Sequence, residues 1–202
     1  MTRSPNQRRV PAPAGFTLIE ALVAVSITAL AGSILLLGTT TTLQTTDEGL
    51  YQSIANGMAQ QLMDEVAGNR YHAIGVDGRQ IDLGPSSYEQ QGSGRERYDD
   101  IDDFDEWRTG PPEDPWGITL GIDDGEGDKR HPALHASTRI FDHWRQEVDV
   151  YYVDETDLTK RLPFPQTSDY RVIEVRILHD DPERGSRELA KLRRVVAYVP
   201  PL

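Results

Sequence analysis

The feature that most constrains this sequence is an apolar run near its N-terminus, residues 16–37, in which Glu20 is the one ionisable side chain. The run contains 22 residues and, at about 1.5 Å of rise per residue, spans roughly 33 Å as an α-helix. The hydrocarbon core of a bilayer is about 30 Å thick. The run therefore predicts a membrane-spanning helix.

The residues before this run carry basic side chains, Arg3, Arg8 and Arg9, and no acidic ones. Cytoplasmic flanks of membrane helices are enriched in Lys and Arg. We therefore expect residues 1–15 to lie in the cytoplasm, residues 16–38 to cross the membrane once, and the rest of the chain to be exported.

Other kinds of N-terminal segment share some of these properties. A cleaved secretory signal is suggested by Ala29-Leu30-Ala31, but the apolar run continues past that site to Leu37 and holds an acidic residue. A plain membrane anchor needs no Glu, and an unpaired carboxylate deep in a membrane helix costs about 2–3 kcal/mol. Glu20 therefore has a partner or a role, unless it lies close enough to the interface for this cost to be small.

The segment GFTLIEALVA, residues 15–24, resembles the N-terminal signal of type IV prepilins and type II secretion pseudopilins. A short basic leader ends in Gly15, Phe16 follows it directly, and Glu20 precedes an uninterrupted apolar stretch. The resemblance implies a minor pilin or minor pseudopilin that prepilin peptidase cleaves between Gly15 and Phe16 and methylates on Phe16. It also implies residence in the inner membrane and, as partners, other pilin or pseudopilin subunits and an inner-membrane assembly platform. The exported domain would then lie in the periplasm or in an extracellular filament.

The chemistry of these residues agrees with such processing. Gly15 has no Cβ to obstruct the approach of a protease to an extended backbone. Cleavage would create a cationic amine on Phe16, and Glu20 is the anion available to pair with it, in its own subunit or in the next one of a filament. We therefore predict that Glu20 is an assembly determinant and not a catalytic acid.

The helical pattern continues beyond the membrane segment, through residues 39–67. Apolar residues recur there at steps of four or seven, at Leu43, Leu50, Ile54, Met58, Leu62 and Val66. Gly68-Asn69 is a plausible stop. We expect one helix from about residue 16 to residue 67, with this stripe packed on a folded domain.

The remainder divides into a loop-rich acidic region, residues 68–135, and a β-sheet region, residues 136–202. Residues 148–153, 170–178 and 192–199 are β-branched or aromatic runs that predict three antiparallel strands. In the middle run Ile173, Val175 and Ile177 share one face. The predicted fold is α+β, with a long N-terminal helix packed on a small antiparallel sheet, and this order of elements resembles that of pilins.

An acidic segment, residues 99–106, holds six carboxylates. Flexible clusters of oxygen ligands suit Ca²⁺, and some pseudopilins carry a calcium-stabilised loop that this segment resembles. The candidate calcium ligands are Asp99, Asp100, Asp102, Asp103 and Asp105. The alternative is a solvated acidic loop held against the sheet by Phe104, Trp107 and Trp116.

Composition excludes several other functions. The net charge of −12 leaves no excess of Lys and Arg for binding a nucleic acid backbone, and the absence of cysteine excludes disulfides and thiol catalysis. No nucleophile elbow, phosphate-binding Gly loop or zinc signature is present, and we expect no enzymatic activity and no cofactor other than calcium. A type IV pilus, a type II secretion pseudopilus and a DNA-uptake filament all stay open. The alternative function is a membrane-tethered extracytoplasmic binding domain that uses the helix only as an anchor and its acidic loop for calcium or a basic ligand.

Overall fold

The computed structural model describes residue 15 and residues 17–121, 140–182 and 185–200. The chain divides into two compact units, the first ending at Glu48 and the second beginning at Gly49. Each unit is described by itself below.

The first element is a single α-helix, α1 (Leu18–Ala67), which contributes residues to both units. The predicted helix is confirmed, with a start two residues later than expected and an end at the predicted residue. The chain leaves the helix at Gly68 and Asn69, whose backbone N–H groups donate to the carbonyl oxygens of Asp64 (3.0 Å) and Val66 (3.1 Å).

The second unit contains a four-stranded antiparallel sheet in sequential order: β1 (Trp107–Thr109), β2 (Trp144–Tyr152), β3 (Tyr170–Asp181) and β4 (Gly185–Ala197). Val148, Val175 and Leu192 lie opposite one another across the three long strands. The register of β3 and β4 shifts between Ile177 and Leu178.

The core of the second unit forms where the C-terminal part of α1 meets one face of the sheet. Val148, Val150, Ile173, Val175 and Ile177 are fully buried on the strands, as the predicted shared face of β3 requires. The helix contributes Ala55, Met58, Ala59, Leu62, Met63 and Val66 to the same cluster. The predicted α+β fold, a long helix packed on an antiparallel sheet, is confirmed.

Two parts of the predicted pattern differ from the structure. The apolar stripe of α1 enters the core only from Ile54 onward, while Leu43 and Leu50 are exposed. The sheet also has a fourth strand, β1, inside the region predicted to be loop-rich. Three residues are too few to show a strand period in the sequence.

The face of the sheet opposite α1 carries ion pairs across neighbouring strands. Glu147 on β2 accepts from Arg145 at 2.9 Å and from Arg176 of β3 at 3.0 Å. Lys191 of β4 lies 2.9 Å from Glu174 of β3. Charged residues in these strands therefore occupy regular sheet positions.

The loop-rich region is fixed to α1 through Arg95, whose side chain is only 2% exposed. Its guanidinium pairs with Glu65 at 2.6 Å and lies 4.7 Å from the ring centre of Trp107. Nearby, two loop backbones touch at Gly94 and Gly117, where an added Cβ would meet backbone atoms of the other loop at 2.3 Å and 2.2 Å. This part of the chain has little regular secondary structure but is tightly held.

Candidate functional site

The predicted processing site lies immediately before the start of α1. Gly15 is exposed and outside the helix, and Thr17 is the residue that precedes Leu18. Phe16 lies outside the described residues. A cut after Gly15 would therefore leave the whole of α1 on the processed chain.

Thr17 and Glu20 cap the start of α1 reciprocally. The Thr17 hydroxyl accepts the N–H of Glu20 at 3.3 Å, and Oε2 of Glu20 accepts the N–H of Thr17 at 3.2 Å and its hydroxyl proton at 3.0 Å. This arrangement is a capping box, which satisfies backbone donors that the first turn of a helix leaves unpaired. This cap was not predicted from the sequence, although a Thr three residues before a Glu at the head of an apolar run is its signal.

The helix is suited to lipid along its first half. It is long and apolar enough to cross a membrane, the one such helix among the residues that the structure describes. Its hydroxyl side chains all donate to carbonyl oxygens three or four residues earlier, at 2.8–3.2 Å. These residues are Ser26, Thr28, Ser33, Thr39, Thr40, Thr41, Thr42, Thr45 and Thr46. Because polar groups in hydrocarbon need internal partners, this pattern fits a membrane-embedded segment.

The acidic segment folds into a short turn in which two carboxylates bind the backbone. Oδ1 of Asp100 accepts the N–H groups of Asp102 (2.9 Å) and Asp103 (3.3 Å). Oδ2 of Asp103 accepts the N–H groups of Asp99 (2.9 Å) and Asp100 (3.2 Å). Burial raises the pKa of Asp100 to about 7 and that of Asp103 to about 6, because the charged forms lose solvent.

Asp102 makes a fully buried ion pair with Arg171 of β3. The two side chains are 2% and 0% exposed, and Oδ1 lies 2.7 Å from Nη1. Arg171 also donates to the hydroxyl of Tyr152 at 2.8 Å and to the carbonyl oxygen of Tyr71 at 2.6 Å. Asp102 therefore anchors the acidic segment to the sheet. This ion pair could not be predicted from the sequence, where Arg171 occupies an ordinary strand position.

The five predicted calcium ligands do not converge on one point. Asp100 and Asp102 are engaged as described, and Asp105 accepts the N–H of Val150 at 3.0 Å. Asp99 and Asp103 come together with a residue that the sequence analysis did not include, Glu89. Single carboxylate oxygens of these three lie within 4.8 Å of one another, the one group of this kind in the described part of the chain. Carboxylate oxygens at this spacing fit a hard cation such as Ca²⁺, and Asp99 is also paired with Arg70 at 2.9 Å.

The aromatic residues flanking the acidic segment are not all packed as predicted. Phe104 is 1% exposed and belongs to the core cluster, and Trp107 packs against it. Trp116, by contrast, is 62% exposed, so the expectation that it holds the loop against the sheet is wrong.

One comparison with known proteins gives a match. Residues 12–36 match a protein-family model described as the prokaryotic N-terminal methylation motif. No curated protein matches the chain, and no solved structure matches it. The matched residues include the predicted cleavage site, the capping box and all but the last residue of the apolar run.

Proposed function

We propose that this chain is a structural minor pilin or minor pseudopilin, because residues 12–36 carry the signature of type IV pilins and pseudopilins. The motif implies processing by prepilin peptidase and assembly with other pilins, and it belongs to structural subunits and not to enzymes. In the proposal, the subunit enters a type II secretion pseudopilus or a type IV pilus. The observation that carries the proposal is the match itself, which overlies the start of a helix able to cross a membrane.

The position of the proposed cut supports this function over a secreted protein. Cleavage after Gly15 keeps α1 whole, whereas cleavage after Ala31 would divide it. Arg3, Arg8 and Arg9 favour a cytoplasmic leader, so in the proposal the cut is made on the cytoplasmic side of the inner membrane. The folded second unit is then exported.

Glu20 has a proposed role in assembly in addition to its place in the capping box. Its Oε2 is turned toward the N–H of Thr17, and Thr17 is the residue next to Phe16 in the sequence. Cleavage would create a cationic amine on Phe16. We infer that Glu20 neutralises such an amine, in its own subunit or in the neighbouring one, where low dielectric strengthens the pairing.

The mass of the mature protein tests the proposed processing. We expect protein purified from membranes to begin at N-methylated Phe16. Gly15→Val should block cleavage, and the matched control Ala14→Val should be cleaved normally. An intact N-terminus in the unaltered protein would instead indicate a plain anchor, and a chain beginning at Gly32 would indicate a secreted protein.

Glu20→Gln separates the two uses of this side chain. Gln also forms a capping box, so the variant keeps the helix start but loses the charge. We expect it to be processed and inserted normally and to be depleted from filaments about as strongly as Glu20→Ala, which loses both the charge and the cap. Normal incorporation of Glu20→Gln, measured by immunoblotting of sheared filaments, would show that the charge is not needed.

A second candidate function is a membrane-tethered domain that binds calcium, favoured by the convergence of Glu89, Asp99 and Asp103. We expect millimolar calcium to raise the melting temperature of the full-length protein in detergent. Glu89→Gln should abolish the rise, and Glu188→Gln, at an exposed position of β4, should retain it. The absence of any rise in the unaltered protein would exclude this function.

A further inference from the structure

The outer edge of β2 has an interruption in its pairing. β1 pairs with residues 146–148 of β2, and farther along the same strand Leu162 donates its N–H to the carbonyl oxygen of Tyr152 at 2.9 Å. Val150 lies between these two pairings, and its N–H donates to the carboxylate of Asp105 at 3.0 Å. A side chain thus occupies the position that a neighbouring strand would otherwise take.

A cavity of about 370 Å³ lies at this interruption, and we call it the edge cavity. Its walls come from four segments: residues 81–83, 105–106, 150–152 and 161–166. This volume lies within the range of cavities that hold small ligands. The edge cavity is therefore large enough for a single long side chain.

The edge cavity is lined by more acidic than basic side chains. Asp82, Asp105 and Glu106 contribute three carboxylates. The lining also includes Arg161, whose guanidinium lies 4.5 Å from the ring centre of Tyr151. In the described part of the chain none of the three carboxylates forms a salt bridge, although Arg161 is close enough to Asp105 to interact with its charge. Asp82 and Glu106 are therefore exposed carboxylates at the cavity without a salt-bridge partner among the described residues.

The backbone of Glu106 is strained at the edge of this cavity. Its φ is +56°, and among the described residues it is the one non-glycine with a positive φ. This conformation costs of the order of 1 kcal/mol for a residue with a Cβ. It separates Asp105, which is bound to β2, from Trp107, which begins β1. Strained residues of this kind concentrate at ligand sites.

Two apolar side chains lie exposed beside the carboxylates of the edge cavity. Ile81 is 50% exposed and Phe164 is 78% exposed, and both belong to the lining. Arg and Lys side chains bury their methylene stems along apolar surfaces while the charged end reaches a polar partner. Apolar side chains beside carboxylates are thus complementary to a long basic side chain.

We propose that the edge cavity is a docking site for an arginine or lysine side chain presented by a partner polypeptide. The charged end would meet the carboxylates of Asp82 and Glu106, and the stem would lie against Ile81 and Phe164. The inference concerns the second unit and does not depend on filament assembly through the N-terminal segment.

Methyl NMR of the full-length protein in detergent micelles tests the proposal. The probe is N-acetyl-arginine N-methylamide, and the control is the citrulline analogue, which has the same shape and no charge. We expect the arginine probe to shift the methyl signals of Ile81, Leu83 and Leu162 in a saturable way and the citrulline probe to leave them unchanged. Equal shifts with both probes would overturn the proposal. Equal shifts with guanidinium chloride at the same concentration would also overturn it, since the cavity would then take any small cation.

Variants localise the effect to the cavity. Asp82→Asn combined with Glu106→Gln should weaken binding of the arginine probe about tenfold or more, the effect of losing hydrogen bonds to a charged group. Asp47→Asn combined with Glu188→Gln makes the same charge change at exposed positions elsewhere and should leave binding unaltered. Glu106→Gly fits the left-handed backbone, so it should stay folded and still weaken binding. Equal weakening by both double variants would contradict the proposal. Full binding by Glu106→Gly and by the Asp82→Asn, Glu106→Gln double variant would also contradict it.

Discussion

The carboxylate of Glu20 caps the start of the helix to which it belongs and can still pair with a partner. Its contacts with Thr17 account for its presence at the head of an apolar run without reference to any other subunit. The proposed pairing with an amine on Phe16 therefore builds on a side chain that is already positioned.

The capping role of Thr17 predicts a local effect of mutation. Thr17→Ala removes the acceptor for the N–H of Glu20 and should destabilise the first turn of α1 by about 1 kcal/mol. Amide hydrogen exchange at Glu20, measured in micelles, should become faster, while Thr17→Ser should behave like the unaltered protein. Thr28→Ala, which removes a hydroxyl bonded within the helix, is the control and should leave exchange at Glu20 unchanged.

The buried carboxyl group of Asp100 predicts an unusual pH dependence of stability. Its pKa is about 7 in the folded protein, against an ordinary value of 3.8. Between these values the unfolded chain has lost the proton that the folded protein retains, so the free energy of unfolding falls as the pH rises from about 4 to about 7. Asp103, whose pKa is raised to about 6, acts in the same direction.

Asp100→Asn tests this dependence, because Asn resembles the protonated acid. Chemical denaturation at pH 5 and pH 7.5 should show a smaller difference in unfolding free energy for this variant than for the unaltered protein. Asp47→Asn, on an exposed part of α1, should keep the full difference. Identical pH dependence in all three proteins would mean that Asp100 ionises normally.

Helix α1 changes its surroundings along its length, and this determines which of its residues stabilise the fold. Leu62 is 1% exposed and packs in the core, so Leu62→Ala should lower the free energy of unfolding by about 2–5 kcal/mol. Gln61→Ala, at an exposed neighbouring position, should change it by less than about 0.5 kcal/mol. Denaturation of the two variants in detergent measures the difference, and similar effects from both would contradict the packing of this face.

Sequence patterns predicted the elements that contain a regular run of apolar residues. The apolar run and the following stripe predicted α1, and the β-branched runs predicted the C-terminal parts of β2 and β4 and most of β3. The first residues of β2 and β4 were missed because charged residues there, such as Glu147 and Lys191, are paired with a neighbouring strand, and charged residues in a sequence resemble turns. In the acidic segment the density of carboxylates was evident from the sequence, but the different contacts that the individual carboxylates make were not. Asp102 is paired with Arg171, far along the chain, and no local pattern encodes such a contact.

The whole molecule has its charge distributed unevenly along the chain. The proposed cut would remove Arg3, Arg8 and Arg9 and change the side-chain charge from −12 to −15. Nearly all of this negative charge lies beyond residue 46, in the part of the chain proposed to be exported. The basic leader favours the cytoplasmic side of the membrane, and the acidic part of the chain follows the membrane segment.

The absence of cysteine allows this orientation to be measured directly. A single Ser186→Cys substitution, at an exposed position of β4, should react with a membrane-impermeant maleimide in cells whose outer membrane has been permeabilised. Ser4→Cys, introduced together with Gly15→Val so that the leader is retained, should react only after lysis. Labelling of Ser4→Cys before lysis would reverse the proposed topology.

The hydroxyl groups of the first half of α1 have a consequence for movement between environments. Because each donates to its own helix, none must exchange a partner when lipid around the helix is replaced by protein. Transfer of this segment from a bilayer into a filament would therefore break none of these hydrogen bonds. Transfer back into the bilayer would break none either. In the proposed assembly, the carboxylate of Glu20 is a charged group whose partner would change on each passage.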